Sequence, residues 1–134
     1  MKYLFFISIL FASLQSCDQN KKIIAERLSI TDSVAINYFR GNGSMDTVIA
    51  IKIIRDKKAI EQLAEYISNS SADEQQCGFD GSIHFFRNNL VLQDIDFRMN
   101  DAGCMHFRLK INGEWFNTKL SNDAKSFLEK IKAQ

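Results

Sequence analysis

Asn112-Gly113 constrains this chain more than any other pair of residues. A type I′ turn needs positive φ at both central positions, which Asn and Gly accept, and its twist matches two antiparallel strands. A two-residue loop here pairs Ile111 with Glu114 and fixes the rest of the register. Leu109 then meets Phe116 and Phe107 meets Thr118 on one side. Lys110 meets Trp115, Arg108 meets Asn117 and His106 meets Lys119 on the other. One side is apolar and the other polar, and a one-residue slip would exchange them. The C-terminal half must therefore hold an antiparallel sheet with one buried face.

Other strands follow from period-2 alternation. Residues 33–40 and 46–55 flank Gly41-Asn42-Gly43-Ser44, which reads as a hairpin tip and not as a phosphate loop, because no helix follows it. Strands are expected near 79–87, 90–98, 104–111 and 114–120. At Asn88-Asn89 a three-residue loop is favoured, since it places Ile83 opposite Ile95 and Phe85 opposite Gln93. Two helices show the i, i+3, i+4, i+7 stripe: Ile60, Leu63, Ala64 and Ile67 behind Asp56, and Ala124, Phe127, Leu128 and Ile131 behind Ser121. The expected order is ββαββββα, an α+β two-layer sandwich with an antiparallel sheet and both helices on one face.

The start of the chain has a different character. Lys2 precedes an apolar run from Tyr3 to Leu14, shorter than the roughly 20 residues that span a bilayer. Leu14-Gln15-Ser16-Cys17 closes it, followed by Asp18-Gln19-Asn20-Lys21-Lys22. This pattern resembles the signal of bacterial lipoproteins, with Gln15 where a small or branched apolar residue is usual. The resemblance implies cleavage before Cys17, acylation of its sulfur and a protein tied to the inner or outer membrane of a cell envelope. It divides the chain into a signal peptide (1–16), a lipidated cysteine and tether (17–32) and one domain (33–134), with Ile23, Ile24 and Leu28 able to dock on that domain. Two or more acyl chains hold a protein stably, where one alone is marginal.

Removing 16 of 134 residues leaves 118, the size of one domain, and removes one basic residue, so 16 basic face 16 acidic residues. Zero net charge gives no footprint for nucleic acid. Of three cysteines, Cys17 is reserved for lipid, leaving Cys77 and Cys104 as an even pair in an oxidising compartment. Both fall at one end of the sheet, where a bridge would close a loop of about 28 residues and add roughly 3–4 kcal/mol. No C-x-x-C occurs, and the histidines lack familiar metal spacing from either cysteine, so no metal or other cofactor is expected. The segment Cys77-Gly78-Phe79-Asp80-Gly81 is similar to one in small lipoproteins of the Bacteroidota, and the element order resembles the TATA-binding-protein-like architecture. Neither resemblance implies an activity.

The sheet face away from the helices carries His84, Asp94, Asp96, His106 and Arg108. A five-residue loop at Met99 to Gly103 would pair Asp96 with His106 and Asp94 with Arg108, gathering a set that could serve a metal-dependent hydrolase. An open face with ordinary cross-strand ion pairs is the plainer reading, because chemistry needs a concave pocket. The same face offers Phe86, Leu92, Arg108, Lys110 and Trp115 as an apolar strip rimmed by charge, suited to a protein partner. With no G-x-S-x-G, H-E-x-x-H or S-x-x-K, no catalytic residue is assigned. The expectation is a membrane-tethered, non-enzymatic binding module of inhibitor or immunity type, or else a structural envelope subunit.

Overall fold

The computed structural model describes residues 12–41 and 44–134. The apolar leader through residue 11 lies outside the described residues, as do Asn42 and Gly43 of the first hairpin tip. In chain order the elements are α1 (Ala12–Ser29), β1 (Ser33–Gly41), β2 (Ser44–Ile54), α2 (Lys57–Ser68), β3 (Gly81–Arg87), β4 (Leu90–Arg98), β5 (His106–Ile111), β6 (Glu114–Lys119) and α3 (Asn122–Ala133). The six strands form one antiparallel sheet in the order β2-β1-β3-β4-β5-β6. The α+β class and the expected run of strands hold, with one helix added at the front.

That helix begins in the last residues of the stretch read as a signal peptide and runs through most of the one read as a tether. Ile24 and Leu28, one turn apart, are buried in the same core as the stripes of α2 and α3. The sequence hides it because only this i, i+4 pair is deeply buried, and the flanking Asp18-Gln19-Asn20-Lys21-Lys22 reads as a linker. The other helices begin where their caps predict. Asp56 accepts from the Ala59 backbone N–H at 2.9 Å and Ser121 from that of Ala124 at 3.1 Å. All three helices cover one sheet face, formed by Val34, Ile36, Tyr38, Ile83, Phe85, Ile95, Phe97, Phe107 and Leu109. Tyr38, buried edge-on to Phe97, donates its hydroxyl to the Leu128 carbonyl at 2.6 Å and fastens α3 to the sheet. Burial raises its pKa far above the usual phenol value.

The β5–β6 register is as Asn112-Gly113 dictates, with φ of 51° and 85° at the turn. At Asn88-Asn89 the register beyond the turn is also as expected, with Ile83 opposite Ile95 and Phe85 opposite Gln93. Its cause differs. The turn has two residues, with φ of 51° and 64°, and a bulge at Leu92 shifts the parity before Gln93. Gln93 is an apparent blemish on the buried face that the structure satisfies. Arg27 of α1 donates to its Oε1 at 2.8 Å, and its Nε2 donates to the carbonyls of Asp94 and Lys110.

The β4–β5 register corrects the expected one by two residues. Asp96 faces Arg108 and Arg98 faces His106. The connection runs from Met99 to Met105 because buried Asp80 organises it. That carboxylate accepts from Arg98 Nη1 at 2.9 Å and from the backbone N–H groups of Met99 and Asn100 at 2.8 and 2.9 Å. Next to it, Gly81 lets strands approach closely, since a Cβ there would lie 2.3 Å from both the Asn37 carbonyl oxygen and the Phe97 ring.

The two sheet edges are finished differently. Residues 70–72 run beside β6: Lys119 N–H donates to Ser70 O, and Ala72 N–H donates to Asn117 O. The other edge, β2, is eleven residues long and exposes Val48, Ile49, Ile51 and Ile53.

Candidate functional site

Trp115 stands at the rim of a groove of about 490 Å³ at the end of β4 and β5, which Arg27 of α1 and Gln93 also line from the helix side. Cross-strand pairing sets it beside Lys110, and β6 is an outer strand, so no further strand covers the indole. The ring remains 52% exposed. The Arg108 guanidinium lies 4.2 Å from the ring centre and Lys110 Nζ 5.4 Å from it. Such stacking contributes about 0.5–1 kcal/mol at exposed sites and holds both cations in place. Leu92, the bulged residue, lines the groove with Val91, Asp94 and Asp96. Leu92, Arg108, Lys110 and Trp115 therefore meet as expected. Phe86 does not join them: it pairs with Ser33 and Val91, and β4 and β5 lie between its strand and that of Trp115. At about 4.8 Å per strand, three steps separate the two rings by roughly 14 Å.

Charge within the groove is mixed. Asp96, between Ser82 and Arg108, has its carboxyl pKa raised. Burial is the main cause and Asp94 adds to it, while the charges of Arg108 and His84 oppose it. Arg108 also reaches Glu74 at 3.9 Å, a residue of the segment that folds back over this end of the sheet.

His84 sits at the centre of a second network. Its Nδ1 is 2.6 Å from Asp94 Oδ1, and its Nε2 is 3.1 Å from both Ser82 Oγ and Asn37 Nδ2. The alternation of β3 puts Ser82 and His84 on one face, and the register brings Asp94 alongside. The order hydroxyl, imidazole, carboxylate matches what nucleophilic catalysis requires. Two features reduce its reach. Ser82 Oγ already accepts from Asn37 at 3.2 Å, and the Asp94 side chain is 69% exposed, so water screens its charge.

His106, expected beside these groups, lies elsewhere. The register places it next to Arg98, and Phe79 packs against its ring at 5.6 Å between centres. The ring is fully buried. Its Nδ1 lies 2.8 Å from the Cys104 carbonyl oxygen, which can only accept, so Nδ1 carries the proton. Nε2 is thus a bare lone pair, buried and without a hydrogen-bond partner. An unmet buried acceptor of this kind costs about 1–3 kcal/mol. The proposed cluster of His84, His106, Asp94 and Asp96 is therefore not assembled.

Cys77 and Cys104 are at disulfide distance, with Cα atoms 6.5 Å apart and 27 positions apart in sequence. Among the described residues, Cys77, Cys104 and His106 form a group whose ligand atoms all lie within 4.8 Å of one another. Sequence reasoning missed His106 as a neighbour of the cysteines. The signal was the spacing Cys104-Met105-His106, which sets two alternate side chains on one side of an extended chain. The Cys77-Gly78-Phe79-Asp80-Gly81 segment likewise has a structural explanation: it supplies a thiol, a ring on His106, the loop-holding carboxylate and the close approach of strands.

Among the described residues, no helix is long and apolar enough to cross a membrane. Compared with protein-family models, with curated proteins and with solved structures, the chain matches none.

Proposed function

We propose that this protein is a lipoprotein of the bacterial envelope, acylated on Cys17, whose groove beside Trp115 engages a protein partner. The supporting observation is the indole: large, half-exposed, and stacked with two cations at the rim of a groove that also holds Val91 and Leu92. Trp and Arg with this disposition are the residue types that anchor interfaces. Binding by surface occlusion, as an inhibitor or immunity protein does, needs no catalytic group. A structural role in an envelope assembly would use the same surface. In an exported protein Cys77 and Cys104 close a disulfide that fastens the segment before β3 to the start of β5.

Anchor and groove share one end of the molecule under this reading. Asn20 lines a small cavity together with Trp115 and the Asn112 turn. Cys17 precedes it by three helical residues, about 4.5 Å of rise. A partner would then be met close to the bilayer.

A photo-crosslinking residue placed at Lys110 in intact cells tests this reading. A discrete adduct is expected there, none from Ser126 on α3, and at least a tenfold loss in Trp115→Ala. Equal labelling from both positions would refute it. Incorporation of a tagged fatty acid, lost in Cys17→Ser, tests the anchor separately.

Ester or amide hydrolysis at Ser82 is a second reading, resting on the Ser82–His84–Asp94 order. Labelling by a fluorophosphonate that disappears in Ser82→Ala would establish it, and no labelling would dismiss it.

A further inference from the structure

We infer that Cys77, Cys104 and His106 form, in the reduced chain, a binding site for a closed-shell thiophilic cation, Cu⁺ or Zn²⁺. Three independent features point to it. The two sulfurs and a ring nitrogen of His106 lie within 4.8 Å of one another, so once reduction lets the sulfurs move apart from disulfide contact, all three can reach one ion. The imidazole is preset for ligation: Nδ1–H donates to the Cys104 carbonyl, fixing the tautomer that leaves Nε2 basic, an arrangement that orients metal-bound histidines. Nε2 meets no donor in the protein although it is fully buried. A metal ion supplies what that lone pair lacks.

The surroundings favour a soft ion over a hard one. Phe79 walls the imidazole, and both Cys104 and His106 are buried, so waters for an octahedral shell have little room. Thiolate and imidazole donors select Cu⁺ and Zn²⁺ over Mg²⁺ or Ca²⁺. Two sulfurs and one nitrogen complete a trigonal Cu⁺. Zinc would need a fourth ligand, a water, as in open zinc sites with two cysteines and one histidine.

The chemistry balances in both directions. On binding, each thiol loses its proton to solvent, two S–metal bonds and one N–metal bond form, and two protons are released per ion. A disulfide-bearing oxidant ends the site: two electrons pass from the cysteine sulfurs to that disulfide, which takes up two protons from solvent and becomes two thiols. The Cys77–Cys104 bond forms and the ion departs. Ligation and cross-linking are alternative states of the same two sulfurs. The chain as synthesised carries the dithiol, and the site exists until an oxidant closes the bond.

The full chain, reduced under argon and freed of reductant, is titrated with Zn²⁺ against a chromophoric chelator and with Cu⁺ against a bicinchoninate competitor. One ion per chain is expected, with release of two protons measured in weak buffer. X-ray absorption should show two sulfur neighbours and one nitrogen, plus an oxygen only if zinc is the occupant. Oxidised chain of the same preparation should bind either ion at least a hundredfold less tightly than the reduced chain does. His106→Gln should weaken binding at least tenfold while circular dichroism stays unchanged. Reduced chain that binds no more tightly than the oxidised chain would overturn the proposal, whether it remains folded or unfolds without being rescued by metal. Equal affinity in wild type and His106→Gln would also overturn it.

Discussion

The corner around Asp80 and the groove around Trp115 lie on the same sheet and were shaped by opposite requirements. In the corner the buried carboxylate is fully committed. Asp80 holds one guanidinium and two backbone N–H groups, Gly81 admits a neighbouring strand, and Phe79 lies on His106. In the groove the cations stack on an exposed ring, and the carboxylates of Asp94 and Asp96 are only partly enclosed. Burial explains the difference. A desolvated charge must be fully paired, whereas a solvated one keeps water as a partner and stays available to a ligand. The corner should thus govern stability and the groove recognition.

Asp80→Ala should give the largest effect, about 3–5 kcal/mol of lost stability by urea denaturation, because Arg98 is left as an unpaired, mostly buried cation. A loss under 1 kcal/mol would show that the Met99–Met105 connection holds itself. Gly81→Ala should follow at about 3 kcal/mol, the upper end for overpacking, since the new methyl meets backbone on one side. A stable Gly81→Ala variant would mean that β1 and β3 can separate more readily than the sheet suggests.

Groove changes should be smaller and of another kind. The Asp96 carboxyl holds its proton in the folded chain to a higher pH than the ordinary value of 3.8. Its contribution therefore favours folding most at acid pH and declines as pH rises through the folded-state value. Asp96→Asn removes that decline, so the variant should gain on wild type as the pH rises above 3.8. Parallel stability curves would mean that Arg108 fully offsets the burial. Trp115→Ala should change stability least, by less than about 1 kcal/mol, since only its stacking with Arg108 and Lys110 is lost. A larger loss would make Trp115 a packing residue and would blur the contrast between the two regions.

Much of this was legible beforehand because it is local. The φ demanded by Asn112-Gly113 fixed six cross-strand pairs, and Asp56 and Ser121 marked two helix starts through side-chain to backbone bonds within three residues. The inward stripe of β3 and β4 was also readable, although the bulge at Leu92 that creates it was not. A bulge trades a turn residue for a strand residue, and both give the same pairing further along.

Alternation of side chains, cap chemistry and turn conformation act over a few residues, so the chain alone determined the strands, two helices and the two-layer class. Three decisions needed the assembled molecule. Residues 12–29 became a helix because a core was present to receive Ile24 and Leu28. The β4–β5 register shifted by two because a carboxylate nineteen residues away captured the Met99 backbone. His106 joined the cysteines instead of His84 for the same reason: the loop length that positions it is set by a long-range contact, which no local pattern encodes.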